Sequence, residues 1–164
     1  MTDKITTVLW FDMVGREAAE FYVSLLPYSR IDKIITAPSD NPSSKEGSEL
    51  VIDFTLAGRK YAALNGGPNF KPNESVSFMI VTEDQEETDR LWNAIVGNGG
   101  AESACGWCKD KWGFNWQITP RILLDLLTDS DHARSKRGFD AMMSMRKIDI
   151  ATIQAAADGE TIHA

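Results

Sequence analysis

Apolar residues follow two textures along this chain, and the order in which they alternate predicts its elements. Residues 5–12, ITTVLWFD, are β-branched and aromatic, which predicts a strand. REAAEFYVSLLP follows, with Ala18, Phe21, Tyr22, Leu25 and Leu26 at i, i+3, i+4, i+7 and i+8. That spacing predicts one stripe of an amphipathic helix, and Pro27 stops it. Residues 30–37 read as a second strand, and 38–48 (PSDNPSSKEGS) as a turn-rich loop. ELVIDFTL and KYAALN predict two more strands, joined by a tight hairpin at Ala57-Gly58-Arg59.

After a Gly-, Pro- and Asn-rich loop, NGGPNFKPNE at 65–74, the pattern restarts. SVSFMIV (75–81) reads as a strand. Thr82 and Gln85 have the spacing of a capping box. The helix that follows is expected to bury Thr88, Leu91, Trp92, Ile95 and Val96 and to end at Gly97 and Gly99-Gly100. A shift of 70 residues lays Val8, Leu9, Trp10 and Phe11 on Phe78, Met79, Ile80 and Val81. It also lays Phe21, Tyr22, Leu25 and Leu26 on Leu91, Trp92, Ile95 and Val96. The apolar register runs without a gap from strand through helix, which points to a duplicated unit. Strand candidates near 102–106, 108–112 and 115–119 complete the second copy, so each half reads as strand, helix, then three strands.

The remainder is helical. RILLDLL (121–127) is a short apolar helix. A second helix is expected to start from a cap at Asp129 or Ser130, with Phe139, Met142, Met143 and Arg146 on one side. Asp149 caps a last helix that Gly159 closes. This tail packs on its own sheet or on a second subunit.

Composition narrows the function classes. The 164 residues suit one domain or two small fused modules. The formal charge of −7, from 17 basic and 24 acidic residues, repels a phosphate backbone, so nucleic acid is not an expected partner. No apolar run approaches the ~20 residues that span a bilayer, so no membrane partner is expected. The N-terminal stretch lacks the pattern of a targeting segment, which gives an expectation of a cytoplasmic protein. Two cysteines argue against a disulfide framework.

The paired βαβββ pattern, LWFD followed by EAAEFYVSLLP, the ALNGGP turn, CGW-x-KDKWG-x-NWQ and the closing MRKIDIATIQAA resemble the PhnB-like branch of the vicinal-oxygen-chelate superfamily. That group includes glyoxalase I, and its members are often labelled demethylubiquinone methyltransferase-like. The resemblance implies an α+β fold: two tandem βαβββ modules forming curled mixed sheets, with C-terminal helices. Module 1 is placed at about 4–66, module 2 at about 74–120 and the helical tail at 121–164. It also implies a homodimer. In metal-using members, side chains from the first and last strands of each module hold an ion that polarises the substrate.

The corresponding positions in this chain are Ile5, Ser75, Asn65 and Gln117. None is anionic and neither histidine lies nearby, since His132 and His163 belong to the tail. A divalent ion gains too little there to offset its dehydration, so no metal and no cofactor are expected. Strand alternation puts Tyr61, Ala63 and Asn65 on one face and Asn115, Gln117 and Thr119 on another. Asn65 and Gln117 then either offer two carboxamides to a weakly polar ligand or bond nearby backbone at strand ends.

Cys105 and Cys108 form a C-x-x-C that lies between strand candidates instead of at a helix start. A redox or metal role is disfavoured, and Cys105 is a candidate for the pocket lining. Of Trp107, Trp112 and Trp116, core packing is expected for most, and one is expected to reach a cavity. Trp107, Trp116, Trp10, Ser75 and Phe78 join the candidate ligand-binding set, with Phe70 as a lid residue. The leading expectation is a small-molecule ligand bound in the sheet cup without the superfamily metal. The alternatives are a metal-dependent lyase, isomerase or dioxygenase of the same superfamily, and a methyltransferase. The last is disfavoured because Asp-Met-Val-Gly follows the first strand where a glycine-rich donor loop would stand.

Overall fold

The β-branched and aromatic runs form strands, and the 3.6-residue stripes form helices, in a computed structural model that describes residues 4–160. The chain divides into two compact units, Met1–Pro72 and Asn73–Ala164. Unit 1 contains β1 (Thr7–Phe11), α1 (Gly15–Leu25), β2 (Arg30–Thr36), β3 (Glu49–Leu56) and β4 (Arg59–Asn65). Its sheet has the order β1-β4-β3-β2, with β1 parallel to β4 and the other pairs antiparallel.

Unit 2 repeats the plan with β5 (Ser77–Thr82), α2 (Gln85–Gly97), β6 (Ala101–Glu102), β7 (Trp107–Lys109) and β8 (Asn115–Pro120). Here the order is β5-β8-β7-β6, with β5 parallel to β8. Three helices follow: α3 (Arg121–Leu127), α4 (His132–Met142) and α5 (Ile150–Asp158). The architecture is α+β, with tandem βαβββ units and C-terminal helices. None of the described helices is long and apolar enough to cross a membrane.

Each helix covers one face of its own sheet. In unit 1, Leu9, Phe11, Ile52, Phe54 and Ala63 are buried beneath α1, whose Ala18, Ala19, Tyr22 and Leu25 are buried too. In unit 2, Ile80, Thr82, Cys108, Trp116 and Ile118 lie beneath Thr88, Leu91, Trp92 and Ile95 of α2. A bond of 2.6 Å between the Thr82 and Thr88 hydroxyls joins the two layers. Burying each of the large apolar side chains stabilises the fold by about 1.5–3 kcal/mol.

The turn at Ala57 and Gly58 has φ of 47° and 79°, the left-handed pair that a two-residue hairpin demands. It is the turn that the sequence predicts.

Several boundaries differ from expectation. β1 and β5 start at Thr7 and Ser77, so Ile5 and Ser75 precede their strands. β6 and β7 are shorter than the pattern suggests. Asp84, not Thr82, caps α2 by accepting from Glu87 N at 2.8 Å, and Glu87 answers by accepting from Glu83 N. Gln85 is thereby left for the tail: it donates to Ile148 O and accepts from Ile150 N. Asp131, not Asp129 or Ser130, caps α4.

The tail packs on its own unit. Leu123, Leu126, Ile148, Ile153 and Ala157 form one buried cluster, with Met142 and Met145 against it. Phe139 and Met143 stay exposed and do not share that packed side. Asp149 and Gly159 cap α5 as predicted. His163 lies outside the described residues.

Candidate functional site

The two strand–helix repeats differ by one residue, and the difference decides which side chains each sheet presents on the face away from its helix. Between helices the 70-residue shift holds, because Ala18, Tyr22 and Leu25 match Thr88, Trp92 and Ile95 in burial. Between strands it fails. The buried positions are Leu9 and Phe11 in β1 and Ile80 and Thr82 in β5, which are 71 residues apart (80 − 9 and 82 − 11). The strand-to-helix connection is 12–14 in unit 1 and 83–84 in unit 2. One residue fewer reverses every side chain of a strand relative to the simple shift.

Asn65 therefore faces α1. It is 2% exposed, accepts from Gly15 N at 2.9 Å and donates to Glu49 O at 2.9 Å. Both ends of the amide bind backbone, so this residue ties the start of α1 to the sheet. The register gives its counterpart as Pro120, since Phe11 pairs with Asn65 and Thr82 with Pro120. Gln117 corresponds instead to Ala62, because Val8 pairs with Ala62 and Met79 with Gln117.

The open face of unit 2 is built from two adjacent rows. Ser77, Asn115 and Lys109 stand side by side, followed by Met79, Gln117 and Trp107. Cys108 and Trp116 are buried on the α2 side, so by alternation residues 107, 109, 115 and 117 take the other. Gln117 Nε2 donates to Ser77 Oγ at 2.7 Å. Met79 is 52% exposed. Lys109 Nζ reaches Glu74 Oε1 at 2.6 Å, and this ammonium holds the Glu74 carboxyl below its ordinary value. Asn115 is buried, and its amide nitrogen has no hydrogen-bond partner.

The open face of unit 1 carries Val8, Trp10, Ala62, Leu64 and Lys60 on its first and last strands, with Asp53 on β3 and Asp32 on the edge strand β2. Asp32 accepts from Thr55 Oγ1 at 2.6 Å and Lys60 Nζ at 2.8 Å and pairs with Arg30. A hollow of about 230 Å³ is lined by Thr6, Asp32, Asp53, Lys60 and Tyr61. Trp10 Nε1 donates to Gly67 O at 2.7 Å, and Phe70 meets its ring edge-on at 4.9 Å. Phe70 is 66% exposed.

The other sequence candidates fall elsewhere. Trp116 is 1% exposed and donates to Asp110 Oδ2 at 2.9 Å. Phe78 packs on Trp116 and Phe114 on the same α2 side. Both are core. Ser75 is exposed, and its amide and hydroxyl turn back to Asn73. Cys105 is half-buried at φ 58°, its backbone N–H held by Met145 O and its sulfur 3.7 Å from Met143 Sδ. Cys108 is 1% exposed, and burial, helped by Asp110, pushes its thiol up to about 12. A thiol so protected is no nucleophile at neutral pH. Asn115 and Ser77 complete the polar row and were absent from the predicted set; the buried alternation of Cys108 and Trp116 is the signal that locates them.

The vicinal-oxygen-chelate metal does not fit these residues. The first and last strands of unit 1 offer apolar groups and an ammonium, and those of unit 2 offer a hydroxyl, a thioether and amides. Among the described residues, no group of three or more His, Cys, Asp or Glu side chains is placed to share an ion. Hard divalent cations need anionic oxygen, and zinc needs imidazole or thiolate.

This arrangement of tandem βαβββ units defines the class: a glyoxalase-like fold. The chain belongs to the PhnB-like family described as 3-demethylubiquinone-9 3-methyltransferase, whose model matches residues 3–119. It is similar to the PhnB protein from Bacillus cereus, with 31% identity and a TM-score of 0.64 over 72% of this chain and 99% of that one. Protein PA1353 from Pseudomonas aeruginosa shares the fold at 17% identity, TM-score 0.59, over 73% of this chain and 98% of its own. A glyoxalase/bleomycin resistance protein from Albidiferax ferrireducens, 16% identical with a TM-score of 0.40 over 67% and 94%, is a more distant match. No curated protein matches the chain. The family match stops before α3, so the three C-terminal helices lie beyond it.

Proposed function

We propose that this protein binds a small molecule with a flat apolar body on the open face of unit 2 and does so without the superfamily metal. The observation that carries the reading is the double row of Ser77, Asn115, Lys109 and Met79, Gln117, Trp107. It joins hydrogen-bonding groups to a flat apolar wall, the composition of a small-molecule site. Gln117 and Trp107 are its central residues. Cys105 lies at the loop that leads into β7, and in unit 1 Trp10 with Phe70 forms a second, more apolar surface.

Methyl transfer, which the family description names, has no support in the fold. A doubly wound parallel sheet with a glycine-rich first turn is the usual frame for a methyl donor, whereas β1 and β5 are edge strands of mixed four-stranded sheets. A metal-dependent lyase, isomerase or dioxygenase needs anionic or imidazole ligands that the first and last strands lack. We also propose a homodimer, as the family pattern implies; a monomer mass by light scattering contradicts it.

Calorimetric titration of EDTA-treated protein with 2-naphthamide, a flat neutral probe, tests the main reading. Saturable binding that is lost in Gln117→Ala supports it. Absence of binding of both this probe and its carboxylate isostere 2-naphthoate, or binding that requires added zinc or nickel, overturns it.

A further inference from the structure

Asn115 is 4% exposed and its amide nitrogen has no acceptor. Buried donors are nearly always paired, and leaving one unpaired is unfavourable unless a ligand or a water supplies the missing oxygen. The neighbours of Asn115 show what that oxygen belongs to. Ser77 stands opposite it on β5 and Lys109 opposite it on β7. The Ser77 oxygen already accepts from Gln117 Nε2, which leaves the hydroxyl proton to be donated. The row thus presents an amide N–H, an O–H and an ammonium, all donors.

Resting on the small-molecule reading above, we infer that the ligand of unit 2 carries a carboxylate, received by Asn115, Ser77 and Lys109, and a flat apolar body that lies against Trp107 and Met79. A carboxylate only accepts hydrogen bonds, so it complements a row of donors. Its charge is already provided for. Glu74 now holds Lys109 as an exposed ion pair, with side chains 68% and 40% exposed. A pair of that kind is weak, so an incoming carboxylate replaces the Glu74 carboxylate on Lys109 with little net change in charge. Two residues along a strand separate the donor row from the Met79–Gln117–Trp107 row, about 7 Å. That spacing sets the carboxylate against the first row and an aromatic ring against the second.

The test is calorimetric comparison of 2-naphthoate with the isosteric, neutral 2-naphthamide on the full chain and three variants. The expected result is tighter binding of 2-naphthoate, by about tenfold, because hydrogen bonds to a charged group are the stronger ones. Asn115→Ala loses that preference without lowering the melting temperature, because it removes a donor that has no partner in the fold. Lys109→Met loses the preference too. Glu74→Gln, which frees the ammonium, strengthens 2-naphthoate binding severalfold and leaves 2-naphthamide unchanged. Equal binding of the two probes, still abolished by Gln117→Ala, overturns the carboxylate assignment and leaves the small-molecule reading standing. Binding of neither probe overturns both. Asn115→Ala that lowers the melting temperature while keeping the preference assigns the residue to the fold and overturns its role here. If that variant does not fold, the Glu74→Gln and Lys109→Met arms decide.

Discussion

Units 1 and 2 share one βαβββ plan, their first strand-to-helix connections differ by a single residue, and their open faces differ in kind. Unit 1 turns Val8, Trp10, Ala62 and Leu64 outward and concentrates its polarity in the Asp32, Lys60 and Arg30 knot. Unit 2 turns Ser77, Asn115 and Gln117 outward beside Trp107. The two buried asparagines make the contrast sharp. Asn65 has both amide ends satisfied by backbone, and Asn115 has a nitrogen with nothing to bind. A duplicated frame can thus present different side chains from its two copies, because a one-residue change in connection exchanges the sides of a strand.

The largest effect expected is on the core of unit 2. Trp116→Ala removes a side chain that is 1% exposed and an indole bond to Asp110. It destabilises the protein by about 3–5 kcal/mol, measured as a loss of denaturation midpoint in urea. Asn65→Ala comes next. It strands the Gly15 N–H and the Glu49 carbonyl, at a cost of about 1–3 kcal/mol. The same substitution at Asn115 leaves stability unchanged or raises it. Equal losses at the two asparagines would erase the contrast between the units.

A smaller effect appears in alkali. The Cys108 thiol ordinarily titrates near 9.0 and is pushed up to about 12 in the fold, by burial first and Asp110 second. Its contribution is fully present below about pH 9, where the unfolded thiol still holds its proton. It is lost progressively from there towards pH 12 as the unfolded chain alone ionises. Cys108→Val flattens that part of the stability profile. Correspondingly, iodoacetamide at pH 8 labels Cys105 and spares Cys108 until the chain unfolds, as peptide mass spectrometry reads directly. The smallest effect is at Asp40→Asn. It removes an exposed pair with Lys45 and leaves the melting temperature within error.

Much of this fold is legible from residue pattern alone. The stripes on α1 and α2 and the β-branched runs have strong periods, and Pro27, Asp149 and Gly159 end or cap elements where their chemistry dictates. The strand reversal is invisible at that level. Phe78, Met79, Ile80 and Val81 are all apolar, so either alternate set satisfies a buried face until Thr82 is seen bonded to Thr88. This is why Asn65 resembles a partner of Gln117 in the sequence and is a helix anchor in the fold. Trp116 is buried on the α2 side, with Phe78 half-buried beside it. The side of the sheet that Gln117 takes is legible because Asn115, Gln117 and Thr119 alternate cleanly around large buried neighbours. The unpaired amide nitrogen of Asn115 leaves no trace in the sequence, because it is a bond the fold does not make.

The most direct test of a metal-free binding face is the metal content of the purified protein after incubation with nickel, zinc, manganese or iron(II) and removal of excess ion. No stoichiometric metal is expected, either in the native protein or in Gln117→Ala. About one ion per chain in the native protein, absent from Gln117→Ala, would contradict a metal-free face.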